Sequence, residues 1–287
     1  MTQLSNYSSM HTIGILHHPR IPASRPLADE VYGWLAGQGV RAWISSTWDM
    51  TEIRPEVKES QLLVVLGGDG SLLQASRISI ACGVPLFGIN LGKVGFLSEA
   101  QPEEWQSKLS RVLAGEFWIE KRLMLNAALE RDGRITHTFT ALNDVVVGRG
   151  AQARVVNFQL SVDGDLVTTY AADAMIVATP TGSTAYAMAA GGPLLPPQLP
   201  NFVVLPVAAH LSFNRALILH ETAVIAIKIN MDHEAYITPD GQHGIVAHND
   251  DVVIIKRDAN FCTFARVEST GYFYRRLMAR LGHMRQE

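Results

Sequence analysis

The segment "VVLGGDGSLLQASR", residues 64–77, places glycines and a single carboxylate together at one turn. The turn Gly67-Gly68-Asp69-Gly70 follows an apolar run typical of a buried strand and precedes a helical pattern. A glycine turn at a helix N-terminus presents free N–H groups, and the helix dipole adds positive potential at that point. The pattern therefore predicts a phosphate site beyond the carboxyl end of a parallel strand.

An acidic residue in such a turn has two interpretations. An isolated Asp-Gly most often serves as a tight turn, chosen for its backbone conformation alone. Asp69, however, follows Gly-Gly between a strand and a helix, where a carboxylate would repel a phosphate. Its presence favours chemistry: ordering a metal, or accepting the proton of a hydroxyl that attacks a phosphoryl group.

A second motif, "DAMIVATPTGSTAYAMAAGGP" at residues 173–193, repeats the pattern of strand, turn and small-residue helix. Ser and Thr at a helix start usually act as caps. The hydroxyls of residues 179–184 exceed what one cap needs, so we expect them to contact a polar ligand. Tyr186 offers a ring face for a nucleobase, although a core tyrosine fits the sequence as well.

Other candidate motifs are weak or incomplete. Asn143-Asp144 alone reads as a turn before a strand, and the pair His17-His18 reads as a loop mouth rather than a metal site. The glycine turn lacks the third glycine of a dinucleotide fingerprint, and Gly92-Lys93 is not followed by the Ser or Thr of a Walker loop. The sequence contains no zinc-ligand spacing and no nucleophile elbow.

Composition limits the classes of protein to consider. The chain has 287 residues, 47% apolar and 18% charged, which is enough for a folded protein of more than one domain. A net charge of −3 without a Lys or Arg run argues against a nucleic-acid partner. The polar N-terminal segment does not resemble a signal peptide, and no apolar run approaches ~18 residues. We therefore expect a cytoplasmic protein without a membrane partner.

The elements around these motifs divide the chain. Residues 1–117 alternate strand and helix patterns, which predicts a Rossmann-like α/β domain with a parallel sheet. Residues 118–268 contain longer strands with recurring Asp-Gly turns, including a two-residue hairpin in "FQLSVDGDLVTTY", which predicts an antiparallel, all-β-rich domain. Residues 269–287 include an amphipathic helix that we expect to return to the first domain.

Taken together, the motifs resemble those of the NAD kinase family. The matching stretches are "GGDG" at 67–70, "INLGKVGFL" at 89–97, "ND" at 143–144, "TPTGSTAYAMAAGGP" at 179–193 and "PDGQ" at 239–242. The first of these is shared with diacylglycerol, sphingosine and 6-phosphofructokinases, whereas the Thr-Gly-Ser-Thr-Ala-Tyr block is much more specific.

The resemblance implies a site between an α/β domain and a β-rich domain. It implies transfer of the γ-phosphoryl group of ATP to the adenosine ribose 2′-hydroxyl of NAD, a divalent cation such as Mg²⁺, and a homodimer or homotetramer. Polyphosphate remains open as an alternative donor. Asp69 would be the catalytic residue. The expected substrate- and nucleotide-binding residues are Gly67, Gly68, Gly70, Phe96, Asn143, Asp144, Arg154, Asp173, Thr181, Thr184, Ala185, Tyr186, Ala189 and Gln242.

The sequence departs from the family pattern in the stretch "YAADAM". Asp173, which would reach a carboxamide, is kept, but Ala174 replaces the usual glycine and Ala171 stands where relatives often carry Arg. Asp144 replaces a Glu that is common in the family. The open nicotinamide end predicts phosphorylation of NADH beside NAD. Two alternatives remain from the sequence: a lipid kinase of the diacylglycerol type and a catalytically silent NADP(H) sensor.

Overall fold

A computed structural model of the chain describes residues 10–48, 54–92, 95–150, 154–209, 215–231, 233–242 and 244–284. Lys93 and Val94 of the motif at 89–97 lie outside the described residues. The elements up to residue 122 are β1 (Thr12–His17), α1 (Ser24–Gly37), β2 (Arg41–Ser46), α2 (Arg54–Glu59), β3 (Leu62–Gly67), α3 (Asp69–Cys82), β4 (Leu86–Asn90), α4 (Trp105–Leu113) and β5 (Trp118–Arg122).

The rest of the chain is mostly strand. Its elements are β6 (Leu125–Arg131), β7 (Arg134–Ala141), β8 (Asp144–Arg149), β9 (Val156–Val162), β10 (Asp165–Ala172), β11 (Ala174–Ala178), a 3₁₀ turn (Gly182–Thr184), α5 (Tyr186–Ala189), β12 (Asn201–Val207), β13 (Leu217–His220), β14 (Ile225–Asn230), β15 (Ala235–Pro239), β16 (Ile245–Ala247), β17 (Val252–Arg257), β18 (Cys262–Arg266) and α6 (Tyr272–Met284).

The first compact unit contains a six-stranded sheet in the order β2-β1-β3-β4-β18-β5. The pairs of β1 with β2 and β3, and of β3 with β4, are parallel. Every residue of β3 is buried, as expected for a strand covered by helices on both faces. α3 ends at Gly83, whose φ of 70° supplies the left-handed cap that a glycine adopts easily. The predicted α/β domain is thus confirmed.

The division of the chain differs from the expected boundaries at 117/118 and 268/269. The first unit takes Met1–Lys121 and Cys262–Glu287, and the second takes Arg122–Phe261. β18 is a strand of the first sheet, where Phe264 pairs with Leu86 in parallel. The sequence did not predict this return to the first sheet, because pairing over such a separation leaves no local signal.

The second unit consists of two antiparallel six-stranded sheets. Their strand orders are β10-β9-β14-β17-β6-β7 and β13-β12-β11-β8-β15-β16, and one apolar core takes residues from both. Asp163 and Gly164 have φ of 52° and 93°, which is the turn geometry that the hairpin motif predicted. The all-β second domain is therefore confirmed.

The expected helix in "STAYAMAAGG" is much shorter than its composition suggested. A 3₁₀ turn occupies Gly182–Thr184, and α5 spans only Tyr186–Ala189. Gly182 lies so close to the backbone of Asn143 that a Cβ at this position would collide with the Asn143 carbonyl group. Only a glycine therefore fits where the 3₁₀ turn packs against the Asn143 backbone. Within the part of the chain described here, no helix has the length and apolar character needed to cross a membrane.

Candidate active site

The glycine turn lies where the sequence places it, between the end of β3 and the start of α3. The N–H groups of Ser71 and Leu72 donate to Gly68 O at 3.0 and 3.3 Å, so the N–H groups that precede the first bond of the helix are those of Asp69 and Gly70. Gly70 is exposed, and Gly68 and Asp69 are half-buried. The arrangement gives an anion access to free N–H groups at the positive end of the helix dipole.

The glycines of this turn have different roles. A Cβ on Gly67 would collide with Ser71 Oγ and come within 2.8 Å of Ser71 Cβ, so only glycine fits there. Added Cβ atoms at Gly68 and Gly70 would have no heavy atom within 4 Å, and Gly68 has ordinary extended backbone with φ of −97°. Gly67 is therefore needed by the fold, and the other two leave open space above the turn.

Both oxygens of the Asp69 carboxylate accept backbone hydrogen bonds from a distant loop. Phe96 N–H donates to Oδ2 at 2.9 Å and Leu97 N–H donates to Oδ1 at 3.1 Å. Gly95 is so close that a Cβ there would collide with the carboxylate. Phe96, 5% exposed, thus contributes its backbone to this site. Sequence reasoning missed this function of residues 95–97, although the glycine at 95 was a signal for close approach.

The turn suits a divalent cation only in company with a phosphate. Among the described residues, no three His, Cys, Asp or Glu side chains come together as a metal cluster. Mg²⁺ commonly binds one or two carboxylates and completes its shell with substrate phosphates and water. A carboxylate has about four lone-pair sites, so Asp69 keeps acceptor capacity beyond its two N–H partners. Asp69 would hold such a cation together with the phosphates of a bound nucleotide.

In the second unit, Asp240 organises the Asn143-Asp144 turn. Its Oδ1 accepts the N–H groups of Asn143 at 2.7 Å and Asp144 at 3.2 Å, and its Oδ2 accepts that of Leu142 at 2.9 Å. In return, Asp240 N–H donates to the Asp144 carbonyl at 2.9 Å. The "PDGQ" motif therefore fixes the "ND" motif from a position about a hundred residues away, and Gln242 closes its turn with an N–H bond to Pro239 O at 3.1 Å.

The Asp144 carboxyl group is buried, with only 4% of the residue exposed. Burial, and secondarily the negative charge of Asp240, raise the pKa of Asp144 to about 7. Asp144 therefore changes its protonation state near neutral pH. Its protonated form can donate a hydrogen bond to a ribose or base.

The hydroxyl groups of Thr179, Ser183 and Thr184, after β11, donate hydrogen bonds to backbone carbonyls of the same unit. Thr179 donates to Leu142 O at 2.5 Å, and Thr184 donates to Thr181 O at 3.0 Å. Ser183 donates to Pro180 O at 2.7 Å. These residues are at most 7% exposed, and each of the three hydroxyls already donates to a carbonyl of the same unit. Contact of the hydroxyls with a ligand stays a prediction.

Thr181 has a partner of a different kind. The guanidinium group of Arg122 donates to its hydroxyl at 2.9 Å, and Arg122 is itself only 2% exposed. Thr179 N–H also donates to Asn143 O at 2.8 Å, which links the segment to the Asn143-Asp144 turn. The residues of this segment that reach the surface include the half-buried Ala185 and the exposed Tyr186 and Ala189.

A cavity of about 340 Å³ lies in the second unit beside this segment. Its lining includes Tyr186, Tyr236, Thr238 and the ion pair between Arg149 and Asp173, in which Nε and Oδ1 are 3.2 Å apart. The lining combines aromatic rings, a hydroxyl and two charges, which is the mixture that ligand sites typically show. Sequence reasoning did not identify Arg149, which lies at the end of β8, whereas Asp173 lies between β10 and β11.

Two expected residues stand apart from this cavity. Arg154 is exposed and follows a stretch outside the described residues. Ala171 lies on β10, opposite Asn157 of β9. Neither residue is part of the cavity lining. The positive charge beside Asp173 comes from Arg149, at the end of β8.

The fold and these residues define a nucleotide-binding protein with an α/β unit and an all-β unit. The model of the ATP-NAD kinase N-terminal domain matches residues 48–117, and that of the ATP-NAD kinase C-terminal domain matches residues 142–267. An NAD kinase of Chloroflexus aggregans is 36% identical over 272 residues, covering 95% of this chain and 99% of that protein. An NAD kinase of Nitratidesulfovibrio vulgaris is 40% identical over 256 residues, covering 88% and 90%.

Two solved structures of such kinases have a similar fold. Yeast NADH kinase in complex with NADH superposes with a TM-score of 0.86 at 25% identity, covering 96% of this chain and 88% of that one. An NAD kinase from Archaeoglobus fulgidus in complex with ATP superposes with a TM-score of 0.76 at 23% identity, covering 94% and 99%, which supports the fold. The chain therefore belongs to the ATP-NAD kinase family, whose members use ATP to phosphorylate NAD to NADP.

Proposed function

We propose that the chain carries out this family reaction at the adenosine ribose 2′-hydroxyl of NAD, with Asp69 as the general base. The observation that carries the proposal is the position of Asp69, at the first residue of α3 beside open space above Gly68 and Gly70. A ribose hydroxyl is a weak nucleophile at neutral pH, and a positioned carboxylate makes it stronger by accepting its proton as it attacks.

The transfer step needs positioning and charge stabilisation more than covalent chemistry. The N–H groups at the start of α3 would hold phosphate oxygens of the donor, and the helix dipole favours their negative charge. The N–H groups of Phe96 and Leu97 hold the Asp69 carboxylate in one orientation. Mg²⁺, when bound with ATP, would supply neutralisation of the charge that develops on the transferred phosphoryl group.

The second unit would bind the dinucleotide. The Asn143-Asp144 turn, fixed by Asp240, is a suitable contact for the adenosine ribose, because it offers an amide and a titratable carboxyl group. Tyr186 is 45% exposed and lines the cavity beside Asp173, where it can stack on a ring of the ligand. Asp173 would approach the carboxamide of the nicotinamide.

The proposal extends to a cytoplasmic homo-oligomer, a homodimer or homotetramer. Both described cysteines, Cys82 and Cys262, are free thiols, as is usual in a reducing compartment. The edge strand β10 exposes the apolar side chains of Leu166 and Val167, which a second copy of the chain could cover. Light scattering across a range of protein concentrations would measure the oligomer directly.

The enzymatic test supplies NAD, ATP and Mg²⁺ to the purified protein and measures NADP with a dehydrogenase that accepts only NADP. Parallel reactions replace ATP with polyphosphate, NAD with NADH, or NAD with diacylglycerol. We expect NADP from the first reaction, and phosphorus NMR of the product should place the new phosphate on the 2′-oxygen. Lipid phosphorylation without NADP, or NADP binding without turnover, would support the alternative kinase or sensor.

Asp69→Asn tests the role of the carboxylate. An amide cannot accept the hydroxyl proton, so kcat should fall by roughly 10²–10⁴ while NAD binding changes only a few-fold. A variant that keeps full kcat would restrict Asp69 to a structural role.

A further inference from the structure

We propose that Arg266 is a positioning residue for phosphoryl transfer, because it fixes the loop whose N–H groups orient the Asp69 carboxylate. The inference rests on the proposed role of Asp69 as the base. Arg266 lies nearly two hundred residues from Asp69 in the sequence, at the end of β18, and belongs to the same compact unit.

The connection runs through a single residue. Leu97 donates its N–H to Asp69 Oδ1 at 3.1 Å, and its carbonyl oxygen accepts a hydrogen bond from Arg266 Nη1 at 2.9 Å. The same Nη1 donates to Ser98 O at 3.0 Å. The loop is therefore held at one side by the carboxylate and at the other by the guanidinium group, so a shift of Arg266 moves the N–H groups that face Asp69.

Arg266 is itself held by two buried acids. Its Nη1 is 3.2 Å from Glu99 Oε2, and its Nε is 2.8 Å from Glu120 Oε2. Arg266 is fully buried, and Glu99 and Glu120 are at most 2% exposed. Burial would lower the pKa of Arg266, but Tyr272, Glu120 and Glu99 together raise it above its usual value, so the group is always charged. A permanent charge with a planar fork gives the loop one fixed geometry.

The C-terminal segment completes this arrangement. Glu99 Oε1 accepts the N–H groups of Val267 and Glu268, each at 2.8 Å. The Tyr272 hydroxyl, at the start of α6, donates to Glu120 at 2.8 Å. The side chain of Arg276 also donates to Ser98 O. The network thus does more than join α6 to the sheet, because Arg266 and Arg276 also bind carbonyl groups of the loop beside Asp69.

The first experiment replaces Arg266 with Lys, which keeps the charge but loses the fork that reaches both Leu97 O and Glu120. We expect kcat to fall about tenfold, equivalent to about 1.4 kcal/mol of activation free energy, with KM for NAD unchanged within twofold. Amide hydrogen exchange at Phe96 and Leu97 should become faster.

Arg131→Lys is the matched control. Arg131 donates to the buried Asp251 at 2.7 Å in the second unit, so this substitution also breaks a guanidinium–carboxylate pair. We expect it to lower the melting temperature to a similar degree and to leave kcat unchanged below that temperature. An Arg266→Lys enzyme with wild-type kcat, or a kcat loss as large in Arg131→Lys, would overturn the proposal.

A double-mutant cycle with Asp69→Asn separates positioning from a general loss of structure. If Arg266 acts through Asp69, then Arg266→Lys should lower kcat in the wild type but have little effect in the Asp69→Asn background. Equal losses in both backgrounds would overturn the positioning role while leaving the base intact. Full activity of Asp69→Asn alone would instead remove the proposed function, and this inference with it.

Tyr272→Phe provides a second test if Arg266→Lys does not fold. It removes one donor to Glu120 and leaves Arg266 in place, so we expect a smaller loss of kcat, about twofold to threefold, that again disappears in the Asp69→Asn background. Tyr170→Phe is its control, because Tyr170 is a tyrosine of the second unit with only 1% of its surface exposed. Equal kcat in Tyr272→Phe and wild type would contradict the proposal.

Discussion

Asp69 in the first unit and Asp240 in the second each accept backbone N–H groups from a segment distant in the sequence. Asp69 accepts two, from Phe96 and Leu97, and Asp240 accepts three, from residues 142–144. Their surroundings differ. Asp69 follows directly on Gly68, in front of open space, whereas Asp240 sits in a turn with φ of 50° and faces the buried Asp144.

The comparison shows that a carboxylate bound by backbone N–H groups can have two different roles. A carboxylate that accepts N–H groups is itself oriented by them, and it orients the segment that donates them. On the proposed mechanism, Asp69 uses this orientation for its own reaction and therefore must keep an accessible lone pair. Asp240 uses it to orient Asn143 and Asp144, and three N–H groups already bind its oxygens. The predictions below separate these roles, beginning with the largest expected effect.

Asp144→Asn should stabilise the ligand-free protein at high pH. The pKa of Asp144 is about 7 in the folded state against 3.8 for an ordinary Asp, so the folded state binds a proton more tightly than the unfolded state. Its contribution to stability is therefore lost as pH rises from about 4 to about 7. At about 1.4 kcal/mol per unit of pKa shift, the variant should gain roughly 2–4 kcal/mol at pH 8 and little at pH 4.

Chemical denaturation at a series of pH values measures this difference in the free energy of unfolding. Asp163→Asn is a suitable control, because Asp163 is an exposed turn residue of the same unit whose φ of 52° an Asn also tolerates. A difference between Asp144→Asn and wild type that does not depend on pH would show that Asp144 does not titrate as the burial of its carboxyl group implies.

Gly67→Ala and Gly68→Ala test the different roles of the two glycines that precede Asp69. A methyl group at 67 collides with Ser71 Oγ, so we expect about 1–3 kcal/mol of destabilisation and strongly reduced activity. A methyl group at 68 meets only open space, so the fold should be unchanged. If a phosphate approaches there, KM for ATP should rise while KM for NAD stays constant. Two equally destabilised variants would contradict this division of the glycines.

These glycines mark the limit of what the sequence predicts. Spacing and residue type identify the turn, its strand and its helix, because those signals lie within about fifteen residues. They do not distinguish Gly67 from Gly68, since the atom that excludes a side chain at 67 belongs to Ser71 in the folded turn. The same holds for the Thr181 hydroxyl, because its partner Arg122 lies 59 residues away and leaves no local signal.

The contacts of Asp69 and Arg266 could not be predicted from the sequence. Gly95 signals close approach, but nothing local indicates that its neighbours donate to Asp69. Likewise the parallel pairing of β18 with β4 depends on the whole first sheet. Local periodicity therefore predicts the elements and the motifs that resemble the family, while tertiary pairing decides which residues support the reacting group.

Asp240→Asn compares directly with Asp69→Asn. Each change removes one oxygen acceptor from a backbone N–H group, so each should cost about 1–2 kcal/mol of folding stability. Their kinetics should differ: Asp240→Asn should raise KM for NAD severalfold with a nearly constant kcat, the reverse of the change expected at Asp69. Thermal melts and steady-state kinetics on both variants measure the contrast. A loss confined to kcat in Asp240→Asn would place Asp240 with the reacting groups instead.

The smallest expected effect concerns Arg149 and the choice between NAD and NADH. The oxidised nicotinamide ring carries a positive charge that the reduced ring lacks, and the proposed nicotinamide contact, Asp173, is paired with Arg149 at 3.2 Å. Both side chains are about one-third exposed, so solvent screening keeps the effect modest. Arg149→Ala leaves the Asp173 carboxylate uncompensated, which favours the cationic ring. The NADH:NAD ratio of kcat/KM should therefore fall about threefold, whereas Arg149→Lys, which keeps the charge, should leave it near the wild-type value. A ratio that is equal in all three proteins would show that the ion pair does not face the nicotinamide, and the cavity beside Tyr186 would then hold a different part of the ligand.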